Sequence, residues 1–403
     1  MAPKLRVVIV GCGISALTTG VYLLETVGAE ELSVRVYGDP AQALETTSCG
    51  CAGLWMPFHI EPKDKVREWA RLTYARFCQD SKRPETGVRF VQAFKFLETY
   101  PDEADLPDWR EDVLDFRIVS RDEYQRECTS DNDATPRKNA ALSPKLCFPD
   151  GYQVAISWLT AVVDMPQYLR WLIAEFQRLG GVFQLRRSVD NAPTWPFATL
   201  SEAFEDPEST SMAMVVVNAT GLGAQALCHD GQLRPALGVL VRVRYPMPFV
   251  LQVSGGRLDD PQYPTYLIPR NESICTCGGT VLFDLDATER ERYLGMSASA
   301  STLPVASLPS VAQDILNRCR QLYPPWQESE ADLVVVELWS GLRPVRQGGV
   351  RLELETWSVA DQATGSGPKW VIHNYGHGGG GVTVSWGCAA SVSELIGTLC
   401  RSL

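Results

Sequence analysis

The chain begins with a change in its hydrophobic period. Residues 6–10 (RVVIV) form an almost continuous β-branched run, which is typical of a strand buried on both faces. A glycine turn over residues 11–16 follows, and apolar positions then recur at helical spacing over residues 15–26. Residues 32–37 (LSVRVY) are a second strand-like run. This order predicts one βαβ unit at the N-terminus.

The rest of the chain alternates between short apolar runs and amphipathic segments. Alternating runs within residues 237–285 predict antiparallel sheet, and residues 60–150 predict a mixed α+β region. Helices are predicted at 165–180, 311–322 and 383–399, strands at 182–185, 212–218, 240–243, 266–268, 280–283, 333–338, 350–354 and 370–373, and loops at 191–211 and 339–349. A length of 403 residues favours two domains: a nucleotide-binding layer built from both ends and the middle of the chain, and an antiparallel domain.

Composition excludes several classes of protein. The chain carries 37 Lys and Arg against 48 Asp and Glu, and it has no basic stripe, so we expect no nucleic-acid partner. Its 4 histidines lack ligand-like spacing, so we expect no metal site. Residues 7–24 are uncharged, but their Gly, Ser and Thr content disfavours a membrane span.

Cysteine usage and the C-terminus bear on the cellular location. The 12 cysteines have irregular spacings, which favours reduced, mostly buried thiols in an intracellular protein over a disulfide scaffold. The redox state of Cys275 and Cys277 stays open. The terminal residues Arg401, Ser402 and Leu403 share only the final leucine with a peroxisomal S-K-L signal, so a peroxisomal and a cytoplasmic location both stay open.

The first motif, G-x-G-x-x-A at Gly11, Gly13 and Ala16, follows a predicted buried strand and begins a predicted helix. Gly11 permits a tight turn, and Gly13 lets the backbone approach a pyrophosphate. The phosphates would face free amides at a helix N-terminus. Asp39, after the second strand, could accept hydrogen bonds from the ribose hydroxyls. The motif predicts dinucleotide binding over an unliganded turn, but it does not distinguish NAD from FAD.

Three further motifs follow in chain order. Residues 215–221 (VVVNATG) are a buried strand that ends in a turn, as an ordinary strand end also can. Residues 341–346 (GLRPVR) present two arginines around Pro344, which suits either a carboxylate clamp or a surface salt bridge. Residues 373–383 (HNYGHGGGGVT) place five glycines before a helix. Buried runs on both sides favour a ligand-contacting backbone over a flexible linker, and the helix N-terminus could stabilise a reduced flavin.

With these motifs in this order, the chain resembles the D-amino-acid oxidase and D-aspartate oxidase family of FAD-dependent oxidoreductases. Residues 46–48 (TTS), 52–55 (AGLW), Tyr266–Pro269 (YLIP) and 278–279 also resemble that family. The resemblance spans nearly the whole chain, but it is loose over residues 60–150. It implies an α/β FAD-binding, Rossmann-type dinucleotide domain plus an α+β substrate domain with an antiparallel sheet. The ranges implied for the FAD domain are 1–58, 152–228 and 330–403, and those for the substrate domain are 59–151 and 229–329.

The resemblance also implies site residues. Arg343 would bind the substrate carboxylate, the Tyr266 hydroxyl would add a hydrogen bond, and the Gly379 carbonyl would accept from the amino group. We assign His377 no role as a base. The motifs and the resemblance together assign to FAD binding Gly11, Gly13, Ile14, Ser15, Asp39, Thr46, Thr47, Ser48, Gly53, Leu54, Val189, Thr220, Gly221, Gly378, Gly379, Gly381, Val382 and Thr383.

The activity implied is oxidation of neutral D-amino acids to imino and 2-oxo acids, with hydride transfer from Cα to flavin N5 and reduction of O2 to H2O2. Val281 stands where D-aspartate oxidases carry an arginine, which favours neutral substrates. Gly380 keeps a D-aspartate oxidase open, and Arg257 could substitute for the missing arginine. Tyr263 is a candidate lid aromatic residue.

The remaining alternatives are a nicotinamide-dependent dehydrogenase on the same fold and a flavin-binding protein without catalysis. The sequence leaves a homodimer open and does not fix the preferred side chain of the substrate.

Overall fold

A computed structural model describes residues 5–124, 146–185, 197, 199–204, 213–296, 298–303, 305–328, 333–357 and 369–402. Its strands are β1 (Leu5–Val10), β2 (Leu32–Tyr37), β3 (Val88–Leu97), β4 (Leu114–Ser120), β5 (Val154–Val163), β6 (Val182–Gln184), β7 (Ala213–Asn218), β8 (Leu233–Arg244), β9 (Phe249–Ser254), β10 (Asp259–Asp260), β11 (Tyr263–Pro264), β12 (Tyr266–Pro269), β13 (Ile274–Gly278), β14 (Ala298–Leu303), β15 (Val335–Arg346), β16 (Arg351–Thr356) and β17 (Lys369–Tyr375). Its helices are α1 (Ile14–Thr26), α2 (Thr47–Gly50), α3 (Lys63–Asp80), α4 (Met165–Arg178), α5 (Ala224–Leu227), α6 (Ala287–Leu294), α7 (Ser310–Leu322), α8 (Pro325–Glu328) and α9 (Gly381–Ser402).

The first layer of the fold is a six-stranded sheet in the order β16-β17-β7-β1-β2-β6. All its neighbours are parallel except β16 and β17. Strands β1 and β7 are buried along their whole length, because both faces of the sheet are covered. Leu5, Val7 and Ile9 face a helical layer, and Val8 and Val10 face a smaller core on the other side. The predicted βαβ unit is confirmed.

Helices α1 and α9 lie side by side and run in the same direction. The Thr18 hydroxyl donates to the Ser385 carbonyl oxygen at 3.3 Å, and Thr26 and Ser393 contact each other further along both helices. The α9 window Gly381–Arg401 is long and apolar enough to cross a membrane by length and composition, but 67% of it is buried inside the protein. Its apolar character is accounted for by this packing.

The second layer is a nine-stranded sheet in the order β14-β15-β8-β13-β12-β9-β3-β5-β4. Its neighbours are antiparallel except β3 and β9, which are parallel, so the sheet is mixed rather than purely antiparallel. Residues 52–55 connect the two layers. The Trp55 amide donates to the Ala161 carbonyl oxygen on β5 at 2.9 Å, and one buried cluster contains side chains of both sheets.

Two local predictions were wrong. The predicted loop 339–349 is largely strand, because β15 pairs with β8 without interruption from Glu337 to Arg346. Pro344 is tolerated there although it has no amide to donate. The predicted strand 280–283 is not a strand. Its place in the sheet is taken by β13, and Leu282 forms only an isolated bridge with Leu237.

The domain ranges stay a prediction, although sheet membership differs from them at two places. Strands β5 and β15 lie in ranges predicted for the FAD domain, but both pair within the nine-stranded sheet. Only long-range pairing decides which of the two sheets each strand joins. Most of the predicted loop 191–211 lies outside the described residues.

Replacement of Gly387 by alanine should destabilise the protein. A Cβ at Gly387 in α9 would overlap the Trp69 backbone in α3, and backbone atoms cannot move aside cheaply. We expect Gly387→Ala to lower the free energy of unfolding by about 1–3 kcal/mol.

The matched control is Gly397→Ala in the same helix. There the nearest atom to an added Cβ is the flexible end of Arg401 at 3.6 Å, so we expect a gain of about 0.5–1 kcal/mol from reduced chain entropy. Urea titration of both variants measures the difference, and equal stabilities would contradict the packing of α9 on α3.

Candidate active site

The glycine turn after β1 is closed against the end of β7. Gly11 has a φ of 125°, which favours glycine, and its amide donates to the Tyr37 carbonyl oxygen at 3.1 Å. A Cβ on Gly11 would overlap the carbonyl oxygen of Ala219. The next residue of that turn, Thr220, donates hydrogen bonds to the Asn218 side chain. Gly221 follows and lies near Pro344. The two predicted turns are therefore neighbours.

The start of α1 is supported by a hydroxyl from the next segment. Ser48 Oγ accepts a hydrogen bond from the Ile14 amide at 3.1 Å. A Cβ on Gly13 would lie only 3.1 Å from that oxygen, so glycine keeps this approach open. The following helical amides, beginning with that of Ser15, lack acceptors one turn back in the helix. They give this end of α1 its partial positive charge.

Asp39 lies near the same turn. Its carboxylate accepts from the Ala41 amide at 2.8 Å, which leaves acceptor capacity for a ribose hydroxyl. Burial and the charge of Asp39 raise the pKa of Cys12 to about 12. The Cys12 thiol is therefore neutral and chemically quiet beside the turn.

Residues 46–54 run from the first layer to the second. The Thr46 hydroxyl donates to the Ala43 carbonyl oxygen at 2.7 Å, and the Thr47 hydroxyl donates to the Leu342 carbonyl oxygen at 2.9 Å. The latter bond holds this segment against β15, one residue before Arg343. The segment thus links the α1 turn to the strand that carries the predicted carboxylate ligand.

The N-terminus of α9 lies beside the N-terminus of α1. A Cβ on Gly381 would lie 3.8 Å from Ile14 Cγ2. Thr383 Oγ1 accepts from the Met56 amide at 3.1 Å and lies 3.4 Å from the Leu54 carbonyl oxygen. Gly53, with a φ of 73°, packs too tightly on the Val163 carbonyl for a Cβ, and Val382 is buried in the same core. Two helix ends of partial positive charge therefore meet at one place.

The glycines before α9 have different surroundings. Gly378 has a φ of 54°, and its amide donates to the Pro344 carbonyl oxygen at 2.9 Å. The backbone at Gly379 is open, since the nearest atom to an added Cβ is Arg343 Cδ at 3.8 Å. At Gly380 a Cβ would overlap the Ile60 side chain. Packing against Ile60 accounts for Gly380, which therefore does not distinguish the two substrate classes.

Arg343 is a half-buried cation in this cleft. Its guanidinium lies over Gly238 of the neighbouring strand, where a Cβ would overlap it, and one NH donates to the Thr280 carbonyl oxygen at 2.8 Å. Among the described residues no carboxylate lies within ion-pair distance of it. Arg346, by contrast, is paired with Asp230 at 2.8 Å. Of the two arginines in the motif, Arg343 is the one without a carboxylate partner among the described residues.

The Tyr266 ring packs against two glycines. A Cβ at Gly278 would overlap the ring, and one at Gly279 would lie 2.8 Å from the hydroxyl. Burial raises the pKa of Tyr266, and the charge of Arg343 opposes that rise. The phenol is therefore neutral, close enough to Arg343 to feel its charge, and able to donate a hydrogen bond.

Arg318 on α7 was missed by the sequence analysis. Its guanidinium donates to the carbonyl oxygens of Tyr263 at 2.7 Å, Pro264 at 3.1 Å and Gly279 at 3.2 Å, and to Thr265 Oγ1 at 3.0 Å. It holds the backbone that precedes Tyr266 and the carbonyl of Gly279, which lies next to the Tyr266 hydroxyl. Nothing in the local sequence of an amphipathic helix indicates such a role.

Of three further predicted residues, the structure describes two. Val189 lies outside the described residues. Arg257 is exposed and lies near the Tyr152 phenol. Burial raises the pKa of Tyr152, and the charge of Arg257 opposes that rise. Tyr263 is half-buried, and its ring lies 5.9 Å from the Arg318 guanidinium.

His377 is neutral. Burial lowers its pKa to about 4, its Nε2 is buried without a partner, and its Nδ1 lies 3.5 Å from Ser15 Oγ. The imidazole faces the start of α1 rather than Arg343. The structure gives it a packing role.

The residues present fit FAD. Two adjoining helix N-termini offer unpaired amides and partial positive charge, which suit a pyrophosphate and the electron-rich edge of a flavin. The open backbone at Gly379 leaves room that a side chain would fill. Asp39 suits ribose hydroxyls. When bound there, FAD supplies the acceptor for two electrons.

This fold and cleft define a dinucleotide-binding oxidoreductase. A profile of the DAO family, described as FAD dependent oxidoreductase, matches residues 6–395, and the chain belongs to this family. It is 32% identical over 396 residues to a D-amino-acid oxidase of Rubrobacter xylanophilus, covering 97% of this chain and 96% of the relative. It is 26% identical over 404 residues to human D-aspartate oxidase, covering 99% of this chain and 96% of the relative.

Solved structures support the fold. Glycine oxidase from Bacillus cereus superposes with a TM-score of 0.63 at 15% identity, covering 98% of this chain and 95% of that one. Glycine oxidase from Geobacillus kaustophilus gives a TM-score of 0.61 at 14% identity, covering 98% of this chain and 95% of that one. At such identities the likeness concerns fold alone.

Replacement of Gly11 by alanine should weaken flavin binding. The new Cβ would overlap the Ala219 carbonyl and strain a backbone with positive φ. We expect at least an about ten-fold weaker affinity for FAD, or about 1.4 kcal/mol. The control is Gly28→Ala, where φ is 91° but no atom lies within 4 Å of the added Cβ. Flavin titration that finds the two variants alike would contradict the role of the turn.

Protonation of His377 should destabilise the protein in acid. The pKa is lowered to about 4 in the folded state, and a free histidine titrates near 6.5, so the unfolded chain binds one more proton between these values. The contribution is present above about pH 6.5 and is lost as the pH falls toward 4, by about 3 kcal/mol at most. His377→Asn should therefore show a shallower acid-side loss of unfolding free energy. Exposed His59→Asn serves as the control and should parallel the unmodified protein.

Proposed function

We propose that this FAD-dependent oxidoreductase oxidises neutral D-amino acids to imino acids and passes the electrons to O2, which yields H2O2. Water then converts the imino acid to a 2-oxo acid and ammonia. The observation that carries the proposal is the Arg343 guanidinium, which lies without a carboxylate partner among the described residues, within electrostatic reach of the Tyr266 phenol.

The arginine and the tyrosine suit a carboxylate. A guanidinium presents paired donors that match a carboxylate in a planar, bidentate geometry. The neutral Tyr266 phenol adds one donor. Because Gly238, Gly278 and Gly279 have no side chains, both groups lie close to the sheet and leave the space above it to a ligand.

The backbone of residue 379 suits the amino group. Gly379 is exposed and adjoins Arg343 Cδ, so its carbonyl lies at the same cleft. When the carboxylate and the amine of the substrate are held at two fixed places, the hydrogen and the side chain of Cα exchange positions between the two enantiomers. In our proposal this places the Cα hydrogen of one enantiomer toward the flavin, and the chain orients the substrate rather than reacting with it.

No acid or base from the chain is required. His377 is buried and faces α1, and no ionised carboxylate among the described residues pairs with Arg343. A substrate that binds with a neutral amine needs no further proton acceptor for loss of its Cα hydrogen. The lack of a base among the described residues of this cleft supports a step in which orientation supplies most of the rate enhancement.

A D-aspartate oxidase is the second candidate. The human relative of that name supports it, but Arg257 is exposed beside Tyr152 and Gly380 is accounted for by Ile60. Val281 offers no charge. These observations favour neutral substrates.

We also propose an intracellular location, peroxisomal or cytoplasmic. The cysteines of the described segments, including Cys275 and Cys277, are free and mostly buried, which suits a reducing compartment. A homodimer and the lack of nucleic-acid and membrane partners stay predictions.

The test is anaerobic absorbance of the flavin-loaded protein. D-Alanine should bleach the flavin band, whereas L-alanine should not, and D-aspartate should act much more slowly. Bleaching by D-aspartate alone would transfer the protein to the second candidate. A flavin that no amino acid reduces would refute the proposed function.

Arg343→Lys should keep the flavin and lose most turnover, because lysine retains the charge but not the fork of donors. We expect kcat/KM for D-alanine to fall by about a hundred-fold or more. The control is Arg234→Lys on β8, whose exposed pair with Asp284 lies away from the cleft. Equal activity of the two variants would remove Arg343 from the substrate site.

A further inference from the structure

One row of side chains crosses the nine-stranded sheet from the tyrosine of the site. Tyr266 pairs with Gln252, Gln252 pairs with Lys95, and Lys95 pairs with Ile156. Residues in register on neighbouring strands point to the same face of a sheet. Gln252 and Lys95 therefore project on the face that carries Tyr266.

The two cores confirm this orientation. Val250 and Ala93, two residues away from Gln252 and Lys95, belong to the core that contacts Tyr266. Leu251 belongs to the core on the opposite face. Because side chains alternate along a strand, Gln252 and Lys95 share the Tyr266 side.

Neither polar group is satisfied by the described part of the chain. Gln252 is only 6% exposed, yet its amide forms no hydrogen bond with a described residue. Lys95 forms no ion pair within those residues, and burial lowers its pKa while the charge of Asp259 opposes that shift. The Gln252 amide atoms are not sealed from solvent, so they can donate to a ligand that enters the cleft. Two unpartnered donors on the Tyr266 face of the sheet suggest a ligand that carries an acceptor group.

A cavity of about 600 Å³ opens over the same face. Its lining includes Met56, Lys95, Trp158 and Ser254. Met56 is also the residue whose amide donates to Thr383 at the start of α9. The cavity therefore adjoins the segment before α9 and reaches the Lys95 end of the row. Its mouth carries the exposed carboxylates of Glu98, Asp105 and Asp108.

The spacing of the row suits an amino-acid side chain. Neighbouring strands lie about 4.8 Å apart, so Gln252 and Lys95 are about 5 and 10 Å from Tyr266 at the backbone. Arg343 is three strands from Tyr266 and its guanidinium lies over Gly238 on the intervening β8, whereas Gln252 and Lys95 follow Tyr266 on the next two strands. A substrate whose carboxylate is held at the arginine end can extend its side chain over Gln252 toward Lys95.

We infer that Gln252 and Lys95 form a subsite for the substrate side chain, and that the preferred D-amino acid ends in an oxygen acceptor two or three bonds beyond Cβ. The Gln252 amide and the Lys95 ammonium donate to that oxygen. A carboxamide gives the neutral substrate proposed above, and a carboxylate, which shares this chemistry, is the alternative that the test distinguishes. This inference deepens the proposed function and rests on it.

The test compares D-glutamine and D-glutamate with D-norleucine, an apolar substrate of similar length. We expect kcat/KM for D-glutamine to exceed that for D-norleucine by about ten-fold, which corresponds to one net hydrogen bond of about 1.4 kcal/mol. Gln252→Leu should reverse this preference by weakening D-glutamine and improving D-norleucine. Lys95→Met should weaken D-glutamate more than D-glutamine if a carboxylate is the natural group, and both alike if a carboxamide is.

The matched control is Gln92→Leu. Gln92 lies on β3, but on the opposite face from Lys95, where its amide donates to Ser157 Oγ at 2.7 Å. This variant should leave the ratio of D-glutamine to D-norleucine unchanged. A change in that ratio equal to that of Gln252→Leu would show a general packing effect and would overturn the subsite.

An equilibrium measurement separates binding from turnover. Glutaric acid monoamide and hexanoate are the corresponding acids without an amino group, so neither is oxidised at Cα. Perturbation of the flavin spectrum should give a tighter dissociation constant for the monoamide, and Gln252→Leu should remove the difference. Failure of every D-amino acid to bleach the flavin would refute the proposed function. Bleaching by D-norleucine as good as or better than by D-glutamine would overturn only the subsite.

Discussion

The parallel packing of α1 and α9 is the constraint on which the rest of the structure depends. It brings two helix N-termini together, with Gly381 beside Ile14, and it aims two sets of unpaired amides at one place. Alone, each helix end attracts an anion weakly. Together, and lined by residues 53–56, they fix where an anionic dinucleotide and an electron-rich ring are stabilised. The substrate residues act only because β15 ends next to this point.

Glycines determine the positions of the two substrate-binding side chains. Arg343 and Tyr266 lie close to the sheet because Gly238, Gly278 and Gly279 leave space for them. Arg318 then holds the backbone around Tyr266 with several donors. The result is a rigid floor with donors directed upward, which is what a reaction that proceeds by orientation requires.

Much of the cofactor layer could be predicted from sequence, because its signals are local. A buried run, a glycine turn and an amphipathic helix follow one another directly, and they predicted β1, α1 and β2. The nine-stranded sheet was predicted less well. Whether residues 339–346 form a loop or a strand depends on pairing with β8, a hundred residues earlier in the chain. Arg318 and Ile60 contact the site only through such long-range packing, so no local pattern could identify them.

The charged groups around the cleft form two sets, one at the entrance and one where the substrate is recognised. The carboxylates at the cavity mouth are exposed and screened by solvent, so their effect on a dipolar substrate that enters is weak. Arg343 and Lys95 are half-buried, so each interacts more strongly with a ligand than an exposed charge does. As a zwitterionic substrate moves inward, its groups exchange bound water for hydrogen-bond donors at fixed positions. The carboxylate makes this exchange first. Selectivity for the side chain then depends on what remains unsatisfied along the row, because an apolar side chain would leave the Gln252 amide unpaired and a polar one would not.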